Sequence, residues 1–64
     1  MRVLITPPDE HGQRWRIQIE DRRIRIYELH GTSVAAHGVT IRGIPELGAW
    51  LAAHEIDPDD LVES

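Results

Sequence analysis

Residues 13–29 read QRWRIQIEDRRIRIYEL, and their alternation decides the fold. Trp15, Ile17 and Ile19 point one way; Arg14, Arg16, Gln18 and Glu20 point the other. After Arg22, Ile24 and Ile26 share one face, and Arg23, Arg25, Tyr27 and Leu29 share the opposite one. Period-two alternation is the signature of a strand with one side buried and one side wet. Folding this stretch about Asp21-Arg22 sets Ile19 against Ile24 and Ile17 against Ile26. On the other face Glu20 meets Arg23 and Arg16 meets Tyr27. Cross-strand pairs of these kinds are worth about 0.2–1 kcal/mol each. Asp-Arg is not a favoured type I′ turn, so the matched faces fix the hairpin rather than the turn residues.

Upstream, Arg2–Thr6 is rich in β-branched residues and closed by Pro7-Pro8, which predicts a first strand and then a loop over 7–12. That strand has two available mates, one within the chain and one in a second copy. The dipeptide His-Gly recurs at 11–12, 30–31 and 37–38. His is among the non-Gly residues enriched at positive φ, so each copy reads as a variant of the Asn-Gly turn. This plain role competes with any reading of the histidines as metal ligands or bases. The turn after Leu29 then sets the register downstream. A two-residue loop, His30-Gly31, places Val34, Val39 and Ile41 on the face of Tyr27 and the arginines. A three-residue loop, His30–Thr32, places Val34, Ala36, Val39 and Ile41 with the isoleucines. A slip of one residue exchanges the faces. The second register gives one clean apolar face and is the one expected; the first would leave a second apolar face needing a partner.

Gly43-Ile44-Pro45 ends the sheet. A helix is predicted over Pro45–His54, with proline at its first position and Glu46 complementing the helix dipole. Leu47, Trp50, Leu51 and His54 fall at i, i+3, i+4 and i+7, one stripe for the sheet. Gly48 costs this helix about 1 kcal/mol relative to Ala. Asp57 as N-cap before Pro58 predicts a last helical turn that returns Leu61 and Val62 to the core or to a dimer mate. The fold class is therefore α+β. One domain over residues 1–64 holds an antiparallel meander of three to five short strands, packed by a C-terminal helix and a final helical turn.

At 64 residues and 41% apolar, the chain can build one small core. A domain this size buries only about 60% of its unfolded surface. The longest apolar runs, Val3–Ile5 and Ala49–Ala53, are far short of the roughly 20 residues that span a membrane. No basic-then-apolar leader is visible, which points to the cytoplasm. With no cysteine, neither disulfides nor cysteine-based zinc sites can staple the fold. Small domains without staples often oligomerise instead, so a homodimer is expected.

The formal charge is −4. Residues 13–42 carry six arginines against three acids, a balance of +3, whereas residues 43–64 carry six acids and no arginine. A basic middle and an acidic end can neutralise each other or serve two partners.

Arg14, Arg16, Arg23 and Arg25, with Tyr27, form the candidate nucleic-acid surface, because arginines around an exposed aromatic can bind phosphate and stack a base. The sequence pI near 5.4 weighs against it. A helix-turn-helix reading fails because its second helix would present Asp59, Asp60 and Glu63 to phosphate. For catalysis, Ser33, His37 and Asp21 make a triad only on paper, since Ser33 sits in no elbow motif. Asp57, Asp59 and Asp60 lie at a helix start where no cleft is expected. His30 and His37 lack a metal-ligand spacing. No enzyme, metal or cofactor is expected. The function expected is a small non-enzymatic protein-interaction or regulatory module, homodimeric or bound to a protein partner. Its contact surface is expected on Leu47, Trp50 and Leu51 or on the arginine face, and nucleic-acid binding is the alternative.

Overall fold

The computed structural model describes residues 1–35 and 38–64. Six strands occur in the order β1 (Arg2–Ile5), β2 (Arg14–Ile19), β3 (Ile24–His30), β4 (Ser33–Val34), β5 (Val39–Ile41) and β6 (Val62–Glu63). Helix α1 (Ile44–Ala53) and a 3₁₀ turn (Pro58–Asp60) fall between β5 and β6. The sheet runs β4-β3-β2-β1-β6, with β5 also paired to β3, and these pairings are all antiparallel. This is the α+β meander under a C-terminal helix, extended by a sixth strand.

The central hairpin has the register that its alternation dictates. Ile19 pairs with Ile24, Ile17 with Ile26 and Arg16 with Tyr27. The Glu20 N–H donates to the Arg23 carbonyl at 2.9 Å, closing a two-residue turn at Asp21-Arg22. Ile17 and Ile26 are fully enclosed, 0% exposed, and centre a core with Leu4, Ile24, Leu47 and Leu51.

Strand β1 pairs within the chain, with β2 on one side and β6 on the other. Thr6 follows it and is 1% exposed. Its N–H donates to the Trp15 carbonyl at 3.0 Å, and its Oγ1 accepts the Trp15 N–H at 2.8 Å. The hydroxyl thus satisfies a backbone donor that would otherwise be orphaned at this end of the ladder.

The His-Gly pairs at 11–12 and 30–31 do fall at chain reversals, but glycine and not histidine takes the positive φ. At 9–13 the Asp9 carboxylate accepts the N–H groups of His11 and Gln13, each at 2.8 Å, and Gly12 holds φ +78°. His30 is the last residue of β3 and pairs with Ser33, so the turn is Gly31-Thr32 with Gly31 at φ +62°. Glycine reaches positive φ without a Cβ clash, so histidine is not needed there. His37 lies outside the described residues.

The register after Leu29 also departs from expectation. Leu29 pairs with Val34, which places Val34 on the face of Tyr27 and the arginines. Val39 and Ile41 pair with Ile26 and Ile24 on the core side of the sheet, where Ile41 packs against the core while Val39 stays 46% exposed. The pairing offset changes between β4 and β5, so no single register governs both. Ala36 lies outside the described residues. At Gly38 an added Cβ would strike the Ile26 carbonyl and the Tyr27 ring, so the chain passes β3 at a distance only glycine allows.

Helix α1 starts one residue before the expected position, and the Leu47 N–H donates to Gly43 O at 3.0 Å. Its end was not legible as a stop. The Glu55 N–H bonds Ala52 O at 3.1 Å and the Ile56 N–H bonds Leu51 O at 2.9 Å, the two bonds of a Schellman motif. Glu55 occupies the left-handed position at φ +56°, where glycine is usual. Left-handed backbone costs a side-chain-bearing residue about 1–2 kcal/mol. Glu55→Gly is therefore expected to raise stability by about 1 kcal/mol, read as a higher midpoint in urea unfolding.

Asp57 caps the 3₁₀ turn by accepting the Asp59 N–H at 2.9 Å. Leu61 then packs partly buried against the core, but Val62 does not follow it. As a strand residue next to Leu61 it faces the opposite side, and it is 64% exposed. An Arg2–Glu63 ion pair joins β1 to β6. Among the described residues, no helix is long and apolar enough to cross a membrane.

Candidate functional site: the open face of the sheet

Helix α1 covers one face of the sheet and leaves the other without a second layer. Strand pairing orders the side chains of that open face. Val62, Ile5, Arg16 and Tyr27 form one row; Val3, Gln18, Arg25 and Thr40 form the next; Arg14, Leu29 and Val34 form a third. An open groove of about 510 Å³ crosses it, walled by Val3 and Ile5 on one side and by Leu29 and Val34 on the other, with Arg16 between them. Gly31-Thr32 closes the groove on the turn side.

The candidate arginines divide into two pairs. Glu20 accepts from Arg25 Nε at 2.7 Å and from Arg23 Nε at 3.0 Å. Arg14 and Arg16 make no ion pair among the described residues. Arg14 Nε donates to Thr6 O at 3.4 Å, and Arg16 Nε is enclosed without any hydrogen-bond partner. A larger hollow of about 640 Å³ lies at the hairpin tip beside Glu20, Arg23 and Arg25. Glu20 sits in its wall and already holds both guanidinium groups, which makes it a poor anion site.

Hydrogen bonds from Arg25, then from Arg23, hold the Glu20 carboxyl below the usual glutamate range. A carboxyl with a depressed folded-state pKa adds stability above its unfolded value and loses it as pH falls through the folded one. Acid should therefore weaken the hairpin tip below the ordinary glutamate range. Glu20→Gln should remove that part of the pH dependence, read as converging melting temperatures of variant and parent towards low pH.

Most of the Leu47–Trp50–Leu51 stripe lies against the sheet. Leu47 and Leu51 are 6% and 2% exposed within the single chain and belong to its core. They cannot meet a partner unless the helix leaves the sheet. Trp50 is half-buried and meets Trp15 edge-to-face at 5.1 Å and 88°. The His54 ring stacks on Trp50 at 4.0 Å, and its Nδ1–H donates to the Trp50 carbonyl at 2.9 Å. The stripe is the underside of the helix, and its aromatic end is closed by the chain's own residues.

The residues considered for chemistry do not converge. Asp21 lies at one end of the seven-residue strand β3 and Ser33 beyond the other, about 20 Å apart at strand rise. His30 pairs with Glu28 at 3.1 Å. No three His, Asp or Glu side chains gather among the described residues. Comparison with protein-family models, curated proteins and solved structures finds no match, so the side chains alone carry the functional reading.

One half of this site was signalled in the sequence. The arginine face was visible from the alternation. The apolar half was missed because it depends on the pairing of Val34 with Leu29 and on β6 placing Val62 beside Ile5.

Proposed function

We propose that the chain is a small non-enzymatic protein-interaction or regulatory module that works by surface complementarity through the open face of its sheet. The observation that carries this reading is the set Val3, Ile5, Leu29 and Val34, each half-buried, with Val62 exposed beside them, on a face no helix covers. Contiguous apolar surface rimmed by polar groups marks interaction sites on small soluble domains. Leu47 and Leu51 are spent on the core, which favours this face or a sheet edge for a homodimer.

The same composition disfavours nucleic acid. Phosphate contacts need free cations, and Glu20 engages two of the four arginines on this face. Apolar walls beside Arg16 gain nothing from a phosphate backbone. Labelled single- and double-stranded DNA and RNA, titrated at about 50 and 200 mM salt, separate the readings, because several phosphate contacts cost orders of magnitude in affinity over that range. The interaction reading expects no such binding. Affinity that collapses with salt and disappears in Arg16→Ala would establish the nucleic-acid reading instead.

A further inference from the structure

The occupant of the open face can be narrowed by charge. Resting on the reading above, we propose that the groove takes an acidic segment of another protein, with leucine- or valine-type side chains on its apolar walls and a carboxylate on Arg16. Three observations converge. Of the six arginines on β1 and the central hairpin, Arg2, Arg23 and Arg25 pair with a carboxylate within the chain, whereas Arg14 and Arg16 on the open face, like Arg22 in the turn, make no ion pair among the described residues. Arg16 lies between the two apolar walls rather than on a wet rim, and its Nε is enclosed without a partner. A guanidinium in that setting gains more from a planar carboxylate than from water, because pairing beside apolar surface is screened less than in bulk solvent.

A second copy of this chain fits less well. A two-fold interface places the same patch on both sides, which brings two copies of the face bearing Arg14 and Arg16 together. Glu20, the acid on this face, is already held by Arg23 and Arg25, and Glu46, Glu55, Asp57, Asp59 and Asp60 belong to the helix and 3₁₀ region. Reaching those five needs a head-to-tail contact, which builds rings or filaments rather than a two-fold dimer.

The test uses the intact chain and three labelled ten-residue peptides in which Leu and Val alternate with Glu, with Gln or with Lys. Binding is read by fluorescence anisotropy at about 50 and 200 mM salt, and sedimentation equilibrium is run alongside. The Glu peptide is expected to bind about tenfold tighter than the Gln peptide and to weaken with salt, and the Lys peptide is expected not to bind. Arg16→Gln should remove the tenfold preference while leaving the Gln peptide unchanged. Arg14→Gln, on the row beside it, gives a second reading should Arg16→Gln fold poorly. Equal binding of the Glu and Gln peptides overturns the acidic partner and leaves the interaction reading standing. No binding by any peptide, with the chain monomeric throughout, overturns both. Concentration-dependent assembly that excludes the Glu peptide assigns the face to a second copy and overturns the proposal.

Discussion

Ile17→Ala is expected to lower the unfolding free energy by about 2–5 kcal/mol, the range for truncating a fully buried isoleucine. The position lies at the centre of the sheet, paired to Leu4 on one side and Ile26 on the other, under Leu47 and Leu51 of the helix. None of its surface is exposed, so the three lost carbons leave a cavity that strand backbone cannot close. Domains of this length sit near the low end of the 5–15 kcal/mol stability range, and the loss is a large share of the total. Urea unfolding followed by tryptophan emission should show a lower midpoint with an unchanged slope. A loss under about 1 kcal/mol would mean that Ile17 is not enclosed as described.

The second large effect concerns Trp50. The ring is half-buried, meets Trp15 edge-on and is covered by His54. Trp50→Ala should cost about 2–3 kcal/mol, below the 3–5 kcal/mol of a fully buried aromatic. It should leave any self-association untouched, because the residue's partners are in its own chain. The sequence alone suggested the opposite, that this truncation breaks an assembly. Unfolding curves and sedimentation of the same variant decide it: a stable variant that no longer associates would restore the helix stripe as an interface.

The parts of the fold legible in the sequence were those where side-chain period and burial agree. Residues 13–29 carry alternation strong enough to fix both strands and their register despite an unfavoured turn sequence. The helix announced itself through Pro45, Glu46 and the spacing of Leu47, Trp50 and Leu51. The 3₁₀ turn did so through Asp57-Pro58.

What failed lacked a local signal. Strand β6 is two residues long, and only its pairing to β1 makes it a strand. The His-Gly rule failed because glycine alone supplies the positive φ. The register of Val34 depended on a turn displaced by one residue, and that slip moved a valine onto the arginine face. The same slip hid the candidate site. A second apolar face needing a partner was the recognised consequence of the register set aside, and for Val34 that consequence holds.

That Leu47 and Leu51 would be consumed by the core could not be read from an amphipathic stripe, since a stripe states only that something is covered. Glu20 was legible as the mate of Arg23, but Arg25 looked like a free cation until the fold brought the same carboxylate to it. In each case the deciding fact is a long-range contact rather than a residue type.

The most direct test is a two-dimensional amide NMR spectrum of the ¹⁵N-labelled chain during titration with the Leu/Val–Glu peptide. Binding at the open face predicts shifts concentrated on Val3, Ile5, Arg16, Leu29 and Val34, with little change along residues 47–54. Shifts centred on Trp50 and His54, with the open face unmoved, would contradict it.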